Sequence, residues 1–153
     1  MSSRRCRRSH DRHSRARHVL RLEDLKGEWA FFSDSIGGVL GATGKSSTTD
    51  GQVTINADGT GIVNFGTGIQ YSGVAGQLTT FDFSGSVVSY TITNPEKGIG
   101  IATIAAPFGE GINTSDFIAL RKHGRVVRLE GHISSFFPTT DNITTYTLER
   151  QNQ

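Results

Sequence analysis

The chain has 153 residues, enough for one domain with a single substantial core. Its composition favours β-structure, with 19 glycines, many threonines, valines and isoleucines, and no window with the apolar spacing of an amphipathic helix. No apolar run approaches the ~18 residues that a membrane-spanning helix needs. The single cysteine, Cys6, excludes an internal disulfide framework and offers no metal cluster, and no cofactor is predicted.

The net charge of +2 combines two parts of opposite sign. Residues 1–21 carry eight arginines against Asp11 alone (8 − 1 = +7), and residues 22–153 carry eight basic and thirteen acidic residues (8 − 13 = −5). Because residues 1–18 have almost no apolar content, we predict a disordered basic arm over 1–18 and a β-barrel domain over 19–153. No apolar segment follows the first arginine pair, so no signal peptide is expected.

The arm has two interpretations. It is a solvated tail, or it binds nucleic acid or another anionic surface by counterion release. The arginines that would make this contact are Arg4, Arg5, Arg7, Arg8, Arg12, Arg15 and Arg17.

One helical turn and a succession of short strands are predicted after the arm. The turn covers residues 19–26 and ends at Gly27, and Asp58-Gly59 marks a hairpin between apolar alternations. The predicted strands cover residues 28–35, 46–57, the segment of Val63 and Phe65, 66–72, 78–84, 86–93, 99–105, 114–121, 125–133 and 143–150. Phe136 is predicted to begin a loop. Regularly spaced short antiparallel strands are typical of a sandwich or a barrel.

The two ends of the domain favour the barrel. Residues two apart share a face of a strand, so Arg150 lies on the apolar face of Tyr146 and Leu148. A guanidinium on such a face needs a partner, and Trp29 in the first strand is the aromatic side chain that can stack on it, worth ~0.5–2 kcal/mol. If these strands are neighbours, the sheet closes and loses its edges.

This arrangement resembles the calycin pattern of lipocalins and their relatives, in which a short helical turn precedes a Gly-x-Trp strand and a late basic residue packs over the Trp. The matching residues are Gly27, Trp29 and Arg150. The chain is also similar to a group of small bacterial β-barrel proteins in the segments GEWAFFSDS, DGTG at 58–61, Gly-x-Gly-x-Ala-Thr at 98–103 and the ending TLERQ. The resemblance implies an all-β, closed antiparallel barrel of about eight strands, and export is frequent in such relatives. Allene oxide cyclase-like barrels are similar in size and strand rhythm, but none of their catalytic residues carries over.

The alternation predicts a barrel interior that either is a filled core or holds one small ligand. The predicted inward residues are Trp29, Phe31, Val63, Phe65, Phe81, Phe83, Tyr90, Ile92, Phe117, Leu129, Tyr146 and Leu148. The candidate ligand-binding residues are Trp29, Phe31, Phe81, Phe83, Tyr90, Phe117, Tyr146 and Arg150. The function expected from them is non-enzymatic binding of a small apolar molecule.

Two other function classes stay open. A cyclase-type or isomerase-type enzyme would use buried polar groups such as Tyr90, Tyr146 or Arg150 in the cavity, and a structural or packaging protein would use the basic arm on nucleic acid. Residues 38–46 look like a phosphate-binding loop, but Val39 stands where the motif needs glycine. In the strand 125–133, Val127, Leu129 and Ile133 are expected inward, which leaves Val126, Arg128, Glu130 and His132 outward. No Ser/His/Asp set is identifiable, so no catalytic residue and no metal ligand is predicted.

Overall fold

The computed structural model describes residues 18–37, 45–72, 76–105, 112–137 and 140–151. A 3₁₀ turn, Leu22–Leu25, precedes nine antiparallel strands. The strands are β1 (Gly27–Gly37), β2 (Lys45–Ile55), β3 (Thr60–Ser72), β4 (Gln77–Asp82), β5 (Val87–Asn94), β6 (Ile99–Ala105), β7 (Ile112–Lys122), β8 (Arg125–Phe137) and β9 (Thr140–Arg150). The predicted basic arm, up to residue 17, lies outside the described residues and stays a prediction.

The sheet closes on itself, as predicted. Its order is β2-β1-β9-β8-β7-β6-β5-β3-β4, and β2 also pairs with β3. Eight strands therefore form a closed antiparallel barrel, while β4 pairs with the outer half of β3 and lies outside the ring. Closure depends on the long ladder between β1 and β9, in which Trp29 is the register partner of Arg150.

One end of the barrel, which we call the capped end, is covered by the 3₁₀ turn. Leu20 and Leu25 are buried in the core, and the Trp29 indole N–H donates to the Leu25 carbonyl at 2.8 Å. The turns 56–59, 95–98 and 123–124 lie at the same end. The β1–β2, β3–β4, β6–β7 and β8–β9 connections belong to the opposite end, which we call the far end, and their central residues lie outside the described ranges.

Arg150 ties the capped end together. Its guanidinium carbon lies 4.3 Å from the centroid of the Trp29 ring, which confirms the predicted contact. Its Nε donates to the Val126 carbonyl at 2.8 Å, and its two terminal nitrogens donate to the Lys26 and Asp24 carbonyls, each at 2.6 Å. One side chain thus joins the last strand, the penultimate strand and the segment that leads into the first.

The strand boundaries follow the alternation with two corrections. The segments around Val63 and over 66–72 were predicted as separate strands, and they form the single strand β3. Phe136 was predicted to begin a loop, but β8 continues to Phe137 through pairing with β9. In both places the cross-strand ladder extends regular structure past residues that locally resemble a break.

Two β-bulges reverse predicted side-chain directions. Between Gln52 and Val53 the register with β3 shifts by one residue, so Phe65 is 55% exposed although it was predicted inward. A second shift next to Leu120 buries Val126, which was predicted outward. One inserted residue moves the following side chains to the other face, because the side-chain period of a strand is two.

The part of the chain that the structure describes contains no helix with the length and apolar character needed to cross a membrane.

The role of Arg150 can be measured by substitution. Arg150→Met should lower the free energy of unfolding by about 2–4 kcal/mol, because three backbone carbonyls lose a charged donor. Arg128→Met is the matched control, since Arg128 is half exposed and pairs with Glu130 and Glu149 at the surface. It should cost much less, because exposed ion pairs contribute little to stability. Equal losses in urea unfolding of the two variants would contradict the assignment.

Candidate functional site

The interior of the barrel is divided into two halves. In the half next to the capped end the largest side chains are fully buried: Trp29, Leu25, Phe117 and Leu129 are all 0% exposed. Only the smaller or marginal side chains of this half, Leu22, Ile92 and Ala119, are partly buried. Farther from the cap, inward-facing side chains are only partly buried, and these are Phe31, Phe83, Ala102, Ile104 and Tyr146. Solvent therefore reaches the inner wall of the far half, which makes this half the candidate site.

The inner wall of this half is built from aromatic rings that lie over glycines of neighbouring strands. A Cβ atom on Gly51 would lie 2.7 Å from the Phe31 ring, and one on Gly66 would lie 2.6–2.9 Å from three ring atoms of Phe83. The Phe81 ring covers Gly68 in the same way, and the Tyr146 ring covers Gly131. Glycine at these positions lets each ring lie against the wall instead of projecting into the lumen.

Three of the rings form a continuous row. The Phe31 and Phe83 centroids are 5.3 Å apart, and the Phe83 and Phe81 centroids are 6.0 Å apart. Both separations fall in the range of favourable aromatic contacts. The row begins on β1 beside the core and ends on β4 with Phe81, which is 39% exposed. It gives the far half an apolar wall that runs from the core to the far end.

A polar pair, contributed by β7 and β9, also faces the lumen. The Ser115 hydroxyl donates to the Tyr146 hydroxyl at 3.0 Å, and the Tyr146 hydroxyl donates to the Asp116 carbonyl at 3.2 Å. Burial raises the pKa of Tyr146 to about 12, against the lowering effect of the Ser115 hydrogen bond and with a further increase from the Asp116 charge. The phenol is therefore neutral at physiological pH and acts as a hydrogen-bonding group rather than a base.

Tyr90 and Phe117 form the floor below this pair. Their rings meet edge to face with centroids 5.8 Å apart, and both are buried. Burial, and next the neighbouring Tyr146, raise the pKa of Tyr90 above its ordinary value. The floor of the far half is thus apolar with phenol oxygens close to it.

The predicted site residues fall into two groups. Phe31, Phe81, Phe83 and Tyr146 lie in the far half, where the structure brings three of them together. The remaining residues belong to the filled core or to the cap, and these are Trp29, Tyr90, Phe117 and Arg150. Arg150 donates all its hydrogen bonds to backbone carbonyls at the capped end, so it does not share a cluster with Tyr146.

Sequence reasoning missed the glycines under the rings and Ser115. A signal was present, because Gly51, Gly66 and Gly68 recur at the alternation of inward residues on β2 and β3. The partner of each glycine is set by cross-strand register, which local sequence does not show. Ser115 alternates with the buried Phe117 and is 7% exposed, so the same alternation marks it as inward.

Other sequence candidates take ordinary places. Arg128, Glu130 and His132 are exposed on the outer face, as predicted. The centre of the loop that resembles a phosphate-binding motif, residues 38–44, falls outside the described residues. Within the described ranges no three His, Cys, Asp or Glu side chains are grouped so that they could hold a metal ion.

The two buried phenols predict a loss of stability at alkaline pH. Their pKa values are raised in the folded state above the unfolded value of 10.0, so their contribution is complete below pH ~10 and is lost as pH rises through the folded values. Urea midpoints at about pH 9 and about pH 11 should therefore differ for the native chain. Tyr146→Phe should reduce this difference, and Tyr71→Phe, which removes an exposed hydroxyl, should leave it in place. An undiminished difference in Tyr146→Phe would contradict the prediction.

No family model, no curated protein and no solved structure matches the chain. Conclusions about function therefore depend on the geometry of the barrel interior and on the charges of its surface.

Proposed function

We propose that the protein binds one small, mainly apolar molecule in the far half of the barrel and performs no chemistry on it. The observation that carries the proposal is the partial exposure of inward-facing Phe31, Phe83 and Tyr146 directly above a layer with almost no exposure. A barrel of eight strands is wide enough either to be filled by side chains or to hold one small ligand. Here side chains fill the capped half, and the far half is the part that holds the ligand.

The lining favours a ligand with a flat or slender apolar body. Because the rings of Phe31, Phe83 and Phe81 lie against the wall over glycines, they present faces and edges to the lumen. Aromatic faces and edges bury apolar area and add ~0.5–1.5 kcal/mol when they meet a second aromatic ring. Binding sites for small molecules commonly combine such an apolar wall with a few placed polar groups.

The polar pair favours a neutral ligand with one hydrogen-bonding end. Tyr146 and Ser115 are uncharged, and the Tyr146 oxygen keeps a lone pair beyond its contact with Ser115. The carboxylates Asp34, Asp50, Asp82 and Asp116 are all exposed on the outer face of the far half. A charged group taken into this lumen would be desolvated without an opposite charge among the described residues, which is unfavourable.

The proposal is consistent with the resemblance to calycin barrels. The 3₁₀ turn, the Gly27-to-Trp29 entry into β1 and the guanidinium of Arg150 over the indole reproduce the features on which that resemblance rests. We propose, in addition, that the protein is a member of a calycin-like group of β-barrels. The cyclase-type alternative has less support, because Arg150 and Tyr146 lie at different levels of the barrel. In addition, Tyr90 and Tyr146 are both neutral at physiological pH, since their pKa values are raised.

Filling the far half tests the proposal. Ala102 faces inward between Tyr90 and Ser115 in register, so Ala102→Leu places three extra carbons in the lumen. The neutral fluorescent probe N-phenyl-1-naphthylamine should bind the native chain with one-to-one stoichiometry, and Ala102→Leu should weaken binding by about tenfold, or ~1.4 kcal/mol.

The matched control is Ala30→Leu. Ala30 lies on the outer side of β1 between Gln52 and Glu149 in register, so the same carbons are added outside the lumen. Probe affinity should be unchanged in this variant. No saturable binding by the native chain, or equal weakening in both variants, would refute the proposal. Competition by a long-chain alcohol but not by the matching carboxylate would support the neutral ligand.

A further inference from the structure

The capped end carries an excess of positive charge on one side. Six cationic side chains surround the 3₁₀ turn and the β7–β8 turn, against the three carboxylates Glu23, Asp24 and Glu28. The cations are Arg21, Lys26, Arg121, Lys122, Arg125 and Arg150. Asp58 and Glu96 belong to the β2–β3 and β5–β6 turns, and Glu96 has Lys97 beside it.

Two of these three carboxylates are already paired. Asp24 binds Arg121 at 2.8 Å, and Glu23 binds Arg21 at 3.2 Å. None of the carboxylates in the described ranges forms an ion pair with Lys26, Lys122 or Arg125. These three side chains are exposed, so their positive charge is directed to solvent.

The hairpin geometry brings these charges together. Lys122 and Arg125 are register partners across the β7–β8 turn, in which His123 and Gly124 have positive φ angles of 51° and 81°. Such a two-residue turn holds the flanking side chains at a fixed separation. Arg150, which donates to the Lys26 carbonyl, lies close enough to Arg125 for their like charges to repel, and this repulsion adds to burial in lowering the Arg150 pKa. Positive charge is therefore concentrated here and only partly compensated, with six cations against three carboxylates.

The rest of the surface has the opposite polarity. Exposed Asp34, Asp50, Asp82 and Asp116 lie toward the far end. The chain also enters the barrel beside the β7–β8 hairpin, since Arg121 donates to the Val19 carbonyl as well as to the Asp24 carboxylate.

We propose that Lys26, Lys122, His123 and Arg125 form a binding surface for the phosphate backbone of nucleic acid, independent of the lumen. The contact is made without reading base sequence, because no element of the surface has the length to enter a groove, and it is governed by release of counterions. The acidic far end is repelled by the same polyanion, so the mouth of the lumen faces away from it.

Nucleic acid is favoured over an anionic bilayer by the composition of the surface. The large exposed apolar side chains lie on the strands, and none of those described is in the 3₁₀ turn or in residues 122–126. Stable association with a bilayer needs an apolar insertion or a lipid in addition to a basic patch. Phosphate contacts need only exposed cations.

Salt dependence of binding by the full chain tests the proposal. Fluorescence anisotropy with a labelled DNA duplex of about 20 base pairs gives the slope of log Kobs against log salt concentration. Lys122→Ala should reduce the magnitude of this slope by about one, and Lys122→Ala combined with Arg125→Ala by about two, for every duplex sequence. Lys26→Ala should act like Lys122→Ala and provides a second variant if the hairpin variant folds poorly.

The matched control is Lys45→Ala, which removes the same charge at the far end of the barrel. It should leave the slope unchanged. Because every protein keeps the arginine-rich segment, any contribution of that segment cancels in the comparison. Equal effects of Lys122→Ala and Lys45→Ala would overturn the proposal. So would the absence of duplex binding, or binding restricted to vesicles that contain phosphatidylglycerol.

Discussion

The barrel depends on one contact, the guanidinium of Arg150 against the indole of Trp29. The contact places β9 beside β1, and the three carbonyls that Arg150 reaches bind this junction to β8 and to the 3₁₀ turn. The Trp29 N–H completes it by donating to Leu25. A charged group is retained in a half-buried place because each of its three nitrogens has a carbonyl acceptor and its flat face has a ring.

The contact also fixes which half of the barrel is solid. Leu20, Leu25 and Trp29 fill the lumen below the cap, and none of the three is more than 3% exposed. Above this layer the same sheet is lined by rings over glycines, and the interior changes from a packed core to an accessible wall. Rigidity at one end therefore supports a site at the other, as is usual where a binding group needs a fixed scaffold.

Most of the fold was predictable from the sequence, because the alternation of side chains between the two faces is a property of a strand itself. A period of two places Arg150 with Leu148 and Tyr146, and the need of a guanidinium for a partner leads to Trp29 and to closure. The bulges were not predictable, because the extra residue at Asn64 leaves a local pattern in which Val63 and Phe65 still alternate.

The candidate site was predictable only in part. Phe31, Phe83 and Tyr146 were identified from their strands, and the outward row that contains His132 followed from the same rule. Which aromatics line the accessible half depends on their distance from the cap, and that distance follows from register along the whole sheet. Likewise, the pairing of Tyr146 with Gly131 joins two strands whose alignment neither sequence segment encodes alone.

The pairing of the first strand with the last has a consequence for biosynthesis. During translation β1 can acquire β2 at once, but its other edge has no β9 until about 110 further residues have been made. For that interval the nascent sheet exposes a long edge that carries Phe31 and Phe32, the kind of edge that associates with other chains. Because the barrel closes only when the last strand pairs with the first, we expect the chain to depend on chaperones during synthesis and not after folding is complete.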